Sequence, residues 1–87
     1  MAWRIEFTKR GDKAIGKLDK PSAKRILDEL DDIAALDDPR SRGKMLTGNL
    51  AGVWGYRVSN YRILCDIRDT RITVVVVDVA HRREVYR

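Results

Sequence analysis

The chain has 87 residues, one cysteine and a formal net charge of +5. At this length we expect a single domain over residues 1–87 with no deep cofactor pocket, because a domain of this size buries only about 60–65% of the surface of its unfolded chain. The lone cysteine excludes an intrachain disulfide, and no apolar run approaches the roughly 20 residues of a membrane helix. Charged residues inside the first apolar stretch argue against a signal peptide. These features favour a cytoplasmic protein.

The first half of the chain predicts one strand and two helices. Apolar and charged residues alternate over residues 3–7, which indicates a half-buried strand. Residues 9–18 form a short, weakly helical segment that contains two glycines. Pro21 is placed to open a second helix, where its missing N–H costs nothing, and Asp37-Asp38-Pro39 ends that helix. Its apolar residues recur at helical spacing and form one buried stripe.

The second half predicts three strands after a basic, glycine-containing connector at residues 40–52. We expect the strands at residues 53–58, 61–68 and 71–80, with a tight turn at Ser59-Asn60. The run Val74–Val77 lacks alternation, which is typical of a central strand covered on both faces. The order β-α-α-β-β-β predicts an α+β fold in which two helices pack on one face of a small, mostly antiparallel sheet. The opposite face is then left concave and basic.

The charge is distributed unevenly along the sequence. Residues 1–38 hold 8 basic and 9 acidic residues, whereas residues 39–87 hold 10 basic and 4 acidic residues. The positive excess therefore falls in the strand-rich half, and such a one-sided field attracts polyanions, of which nucleic acid is the usual one. Simple solubility is the alternative explanation.

The motifs of most catalytic sites are missing from the sequence. There is no zinc ligand set, no dense cluster of carboxylates, no glycine-rich phosphate loop and no nucleophile elbow. The sequence thus favours chemistry without a metal or another cofactor, performed by basic and aromatic groups. Cleavage of RNA suits these groups, since RNA carries its own nucleophile, the 2′-OH next to the scissile phosphate.

The last seven residues combine groups for proton transfer with groups for phosphate binding. His81 offers an imidazole, the side chain best suited to proton exchange near neutral pH. Tyr86 offers a phenol that needs cationic neighbours to act as a base, and Arg82, Arg83 and Arg87 are placed to supply that field. The alternative is that both residues are structural. His81 would then be an ordinary polar residue at the end of a strand, and Tyr86 would pack a C-terminal turn against the sheet.

Several segments together resemble the RelE family of bacterial toxins, although no single one of them is specific. They are Gly48-Asn49-Leu50-Ala51-Gly52-Val53-Trp54, Tyr56-Arg57-Val58, Asn60-Tyr61-Arg62-Ile63-Leu64 and His81-Arg82-Arg83-Glu84-Val85-Tyr86-Arg87. The resemblance covers nearly the whole chain and includes the predicted order of elements. It implies a ribosome-dependent mRNA interferase of a bacterium or archaeon that cleaves message in the ribosomal A site. It also implies a cognate antitoxin whose extended segments wrap the toxin.

The resemblance also assigns roles to individual residues. Arg57 is similar to the basic residue that holds or activates the attacking group, and Arg62 to the phosphate-binding arginine. Arg82 is similar to the arginine of transition-state stabilisation, which we interpret as an electrostatic clamp. Tyr86 is similar to the tyrosine that orients or deprotonates the 2′-OH.

One position departs from the family pattern. Many relatives carry a second basic residue two positions before Arg57, where this chain has Gly55, and we expect His81 to compensate for it in catalysis. Lys44, Arg83 and Arg87 are expected to contact RNA.

Three functional classes remain open on the sequence alone. The first is the ribosome-dependent endoribonuclease, and the second is a ParE-like toxin that inhibits DNA gyrase by binding it. The third is a non-catalytic nucleic-acid-binding module or degenerate toxin. Trp54, Tyr56 and Tyr61 are candidates for stacking on bases, with core packing as the alternative for Trp54.

Overall fold

The computed structural model describes residues 2–81, which form a five-stranded sheet and two helices. The strands are β1 (Arg4–Phe7), β2 (Lys44–Met45), β3 (Trp54–Val58), β4 (Tyr61–Arg68) and β5 (Thr73–His81). The helices are α1 (Lys9–Gly16) and α2 (Lys20–Ala34), and short 3₁₀ turns lie at Pro39–Ser41, Gly48–Leu50 and Asp69–Arg71. Neither helix is long and apolar enough to cross a membrane.

The strand order in the sheet is β1-β5-β4-β3-β2. Strand β1 is parallel to β5, and the other three pairs are antiparallel. The predicted α+β fold with two helices against a mostly antiparallel sheet is therefore confirmed. The valine run lies in β5, between β1 and β4, as expected for an interior strand. Val74 and Val76 are fully buried under the helices, while Val75 and Val77 on the other face are half-buried.

The core lies between α2 and the central strands. Ile26, Leu30 and Ile33 of α2 are buried against residues of β3, β4 and β5. Helix α2 begins where Asp19, as N-cap, accepts a hydrogen bond from the Ser22 N–H at 3.2 Å, so Pro21 occupies the first turn.

Helix α1 crosses β5 at very short range. The Thr8 hydroxyl oxygen caps the helix by accepting from the Gly11 N–H at 3.0 Å. Gly11 is buried, and a Cβ at that position would overlap the backbone carbonyl oxygen of Val76. This glycine therefore sets the distance between helix and sheet, which propensity alone does not reveal.

Two of the differences from the sequence prediction lie in the connector and at the start of the last strand. The connector contains strand β2, which pairs with Gly55 and Trp54 of β3. Its two exposed residues give no alternating apolar signal. The last strand starts at Thr73 rather than residue 71, because the preceding 3₁₀ turn ends at Ile72 in the left-handed region, with φ 49°.

Candidate active site

Two arginines lie directly opposite each other on the sheet face away from the helices. The β3–β4 hairpin pairs Arg57 with Arg62 across its two-residue turn. Side chains alternate along a strand, and the neighbouring Tyr56 and Ile63 are buried in the core. Both arginines therefore project to the open face, and the structure brings these two predicted site residues together.

These arginines line a shallow cavity of about 250 Å³ together with Lys44, Gly43 and Gly55. Arg57 is exposed, whereas Arg62 is 8% exposed and forms the inner wall. Within the described part of the chain, every charged residue that lines the cavity is a cation. Three converging positive groups in a concave surface suit a phosphate, because guanidinium groups match its oxygens and remain charged.

Gly55 forms the wall of this cavity between Leu46 and Arg62. A Cβ at position 55 would lie 3.0 Å from Leu46 Cδ2 and 3.1 Å from Arg62 Cδ. A longer side chain would therefore press on both neighbours. Glycine at position 55 thus gives the aliphatic part of Arg62 its space in the sheet.

His81 lies on the other side of the sheet from the two arginines. The register pairs His81 with Tyr61 and Ala80 with Arg62, so His81 shares the helix-bearing face with Tyr61. Their rings meet edge to face, with centroids 5.5 Å apart. Because alternate residues of a strand point to opposite faces of the sheet, His81 lies on the face opposite Gly55, for which it is expected to compensate in catalysis. Its catalytic role stays a prediction.

The remaining predicted site residues lie outside residues 2–81. They are Arg82, Arg83, Tyr86 and Arg87.

Tyr56 is packed in the hydrophobic core and is not accessible to RNA. It is 1% exposed, and its hydroxyl donates to the Pro39 carbonyl at 2.7 Å. Burial raises the pKa of this phenol well above its ordinary value, so the hydroxyl remains a donor. The prediction that Tyr56 stacks on bases is therefore wrong. Trp54 and Tyr61 are half-buried and pack against the same core.

The free thiol of Cys65 is fully buried in β4, as expected for a structural residue. Burial raises its pKa to about 12, so the thiol is protonated at neutral pH. Among residues 2–81 there is no group of three or more histidine, cysteine or acidic side chains placed to hold a metal ion.

A second basic groove, which the sequence analysis missed, lies between α1 and the end of β5. It has a volume of about 630 Å³ and is lined by four cations, Lys9, Arg10, Lys13 and Lys17. Its carboxylate, Asp78, is engaged by Arg10 at 3.1 Å. The lysines recur every four residues, which places them on one helix face. The acidic residues of α2 hid this signal, because they bring the first half of the chain to near-neutral charge.

Comparison with known proteins identifies the family to which this fold belongs. The family model of the ParE toxin of type II toxin–antitoxin systems (parDE) matches residues 5–86. The chain is 34% identical over 90 residues to Toxin RelG of Mycobacterium tuberculosis, covering 100% of this chain and 99% of that protein.

Solved structures give the same result. The toxin–antitoxin complex RelBE2 from M. tuberculosis contains a chain similar to this one with a TM-score of 0.83 and 28% identity, covering 97% of this chain and 95% of that one. An E. coli RelE mutant in the free state shares the fold, with a TM-score of 0.80 and 21% identity over 98% of this chain and 88% of that one. The protein therefore belongs to the RelE/ParE superfamily and is a RelE-family toxin of a type II toxin–antitoxin system.

Proposed function

We propose that this toxin is a metal-independent, ribosome-dependent endoribonuclease that cleaves mRNA and thereby inhibits translation. The observation that carries the proposal is the cavity of Lys44, Arg57 and Arg62 on the open face of the sheet. This cavity is shallow and accessible, as a site for a polymer chain must be, and its charge fits a phosphodiester. The 34% identity to Toxin RelG adds independent support.

The reaction uses the nucleophile that RNA already carries. The 2′-oxygen attacks the adjacent phosphorus as its proton is removed, and the bond from phosphorus to the 5′-oxygen breaks. The leaving oxygen takes up a proton, so the products are a 2′,3′-cyclic phosphate and a 5′-hydroxyl. Negative charge increases on the phosphoryl oxygens during attack, and each well-aimed cation that meets it lowers the barrier by about 3–4 kcal/mol.

The surroundings of the two arginines suit different parts of this reaction. Arg62 is nearly buried, so its guanidinium is held in place and acts as the fixed phosphate ligand. Arg57 is exposed at the mouth of the cavity, where it meets the attacking group. We assign leaving-group and transition-state stabilisation to Arg82 and orientation or deprotonation of the 2′-OH to Tyr86, as the family resemblance implies. His81, Arg83 and Arg87 remain proposed contributors from the same terminal segment.

The proposed partners are a cognate antitoxin and the translating ribosome. Similar chains have been solved in toxin–antitoxin complexes, including the intact E. coli RelBE complex. We propose that an acidic and apolar antitoxin segment covers the basic surfaces of this chain. The groove of Lys9, Lys13 and Lys17 provides a further surface for the phosphates of rRNA.

The test is cleavage of a defined mRNA by the purified toxin, with and without ribosomes, followed by identification of the ends of the fragments. Primer extension should show cuts within A-site codons that need ribosomes. The upstream fragment should end in a 2′,3′-cyclic phosphate, which hydrolysis by a metal-activated water does not leave. Arg57→Ala and Tyr86→Phe should each lower the cleavage rate by about 10²–10³-fold.

Arg71→Ala is the matched control for these variants. Arg71 is exposed and lies 3.6 Å from Glu6 on the β1 side of the sheet, away from the cavity. It should cleave within about twofold of the parent. Unchanged cleavage by Arg57→Ala and Tyr86→Phe would refute the assignment of this site.

Gyrase inhibition is the alternative, and the ParE family model is the observation that favours it. A supercoiling assay separates the two functions. Inhibition of gyrase by the toxin, without any ribosome-dependent cut in the message, would replace the nuclease by this second function.

A further inference from the structure

We propose that Tyr56 is a positioning residue that acts through Lys44. Together with Trp3 and Trp54, it anchors the loop of residues 35–43. This loop places Lys44 in the cavity that it shares with Arg57 and Arg62, which we call the phosphate cavity. This inference rests on the proposed function for its catalytic consequence, although the anchoring itself is independent of it. The loop 35–43 joins α2 to β2, and its last residue leads directly into Lys44.

Three aromatic side chains hold three backbone carbonyls of this loop. Trp3 Nε1 donates to Asp37 O at 3.1 Å, and Tyr56 donates through its hydroxyl to Pro39 O at 2.7 Å. Trp54 Nε1 donates to Arg42 O at 2.8 Å. The donors come from the start of the chain and from β3, so the loop is fixed to the sheet along its length. Tyr56 and Pro39 are both buried, which makes their hydrogen bond the innermost of the three.

Ion pairs hold the outer side of the same loop. Arg40 binds Asp69 through two hydrogen bonds of 2.8 and 3.0 Å, and Arg42 lies 3.4 Å from Glu29 of α2. The hydrogen bond from Arg40 lowers the pKa of the Asp69 carboxyl, in keeping with a formed pair. These pairs are exposed and therefore weak individually, so the buried tyrosine is the main anchor.

The end of the loop is pressed against β3. Gly43 has φ +73°, and a Cβ there would overlap Gly55 O and lie 2.7 Å from Trp54 Nε1 and 2.9 Å from Tyr56 Cδ1. The next residue, Lys44, pairs with Gly55 in the β2–β3 ladder. The backbone of Lys44 therefore cannot shift away from the cavity unless the loop leaves the rings of Trp54 and Tyr56.

The experiment compares two variants that each remove one buried hydroxyl bonded to a backbone carbonyl. Tyr56→Phe removes the donor to Pro39 O, and Thr73→Val removes a donor to Arg71 O at 2.8 Å, at the start of β5. We expect similar losses of thermal stability. Tyr56→Phe should also lower the single-turnover cleavage rate on ribosome-bound message by roughly ten- to a hundredfold, since small displacements of catalytic groups are costly. Thr73→Val should stay within about twofold of the parent.

A double-mutant cycle with Lys44→Ala tests whether Tyr56→Phe lowers the cleavage rate through Lys44. If Tyr56 acts through Lys44, Tyr56→Phe should have almost no further effect on the cleavage rate once Lys44 is replaced. Arg40→Gln, an exposed change that leaves the core intact, should show the same dependence on Lys44 with a smaller fall in rate. Equal losses of rate in Tyr56→Phe and Thr73→Val, or additive effects with Lys44→Ala, would overturn the proposal.

Hydrogen exchange tests the anchoring without any reference to cleavage. The Ser41 amide donates to Asp38 O, and the Leu46 amide donates to Val53 O. In Tyr56→Phe these two amides should exchange at least tenfold faster, while amides within α2 keep their protection. If the parent does not cleave RNA, the nuclease function fails, and the anchoring is then judged by this exchange and by Lys44-dependent loss of binding to a short RNA oligonucleotide. Unchanged exchange in Tyr56→Phe would overturn the anchoring.

Discussion

Arg57 and Arg62 face each other across one hairpin but occupy very different environments. Arg57 is exposed, while Arg62 is 8% exposed. A lysine becomes easier to deprotonate when buried, whereas a guanidinium keeps its charge at any pH that the protein meets. If the cavity binds the scissile phosphate as proposed, the inner position requires arginine for two reasons, its permanent charge and its planar fork. The outer position then requires only a cation that reaches the phosphate.

This difference predicts unequal effects of the same substitution. Arg62→Lys should lower the ribosome-dependent cleavage rate by about 10²-fold, since it loses both the fork and part of the charge. Arg57→Lys should lower it by about tenfold or less. Single-turnover cleavage of one defined message measures both variants under identical conditions. Equal losses, or a larger loss in Arg57→Lys, would contradict the roles assigned to the two arginines.

Local sequence signals predicted only part of this site. The placement of Arg57 and Arg62 on one face follows from strand alternation and the Ser59-Asn60 turn, both of which are local signals. The packing of Leu46 over Gly55 and the hydroxyl contact from Tyr56 to Pro39 were not predictable, because each joins segments that approach only in the folded chain. The face occupied by His81 depends on the register of β5 against β4, which includes an irregularity at Leu64/Cys65.

Helix α1 shows that the same residue type can have opposite roles within one element. Gly11 is buried against the Val76 carbonyl, whereas a Cβ at Gly16, at the end of the helix, would meet open space among residues 2–81. Propensity treats both glycines as weak points, which is why the sequence indicated this helix only faintly. In the structure, however, α1 can pack this closely on β5 only because residue 11 is glycine.

The two alanine substitutions should therefore change stability in opposite directions. Gly11→Ala should destabilise the protein by about 2–3 kcal/mol, because the helix must move away from the sheet to admit the methyl group. Gly16→Ala should stabilise it by about 0.5–1 kcal/mol through reduced freedom of the unfolded chain. Urea denaturation followed by circular dichroism measures both. Destabilisation by Gly16→Ala comparable to that of Gly11→Ala would show that the close contact is not the cause.

The distribution of charge over the folded surface differs from its distribution along the sequence. The strand-rich half supplies Lys44, Arg57 and Arg62 to the cavity, as its basic excess indicated. The first half, which is nearly neutral overall, nevertheless places four cations on the α1 groove and four of its nine acidic residues on α2. Net charge over a stretch of sequence therefore predicted one basic surface and concealed the other.

The α1 groove leads to a prediction about how the toxin associates with the ribosome. Lys13 lines the groove, whereas Lys20 is an exposed lysine at the start of α2 that does not line it. Replacing either by glutamate changes the net charge equally. If the groove contacts rRNA phosphates, Lys13→Glu should weaken ribosome binding about tenfold at moderate salt and reduce the slope of log affinity against log salt by roughly one.

Lys20→Glu should change ribosome affinity by no more than about twofold, because long-range attraction between exposed charges is screened within about 10 Å. Co-sedimentation of toxin with ribosomes over a series of salt concentrations measures both quantities. Because Lys13 lies outside the phosphate cavity, saturating ribosomes should restore the cleavage rate of Lys13→Glu to that of the parent. A cleavage rate of Lys13→Glu that stays low at saturation would show that the α1 groove takes part in the chemical step. Equal losses of ribosome affinity in both variants would show that the groove contributes to binding only through the net charge of the protein.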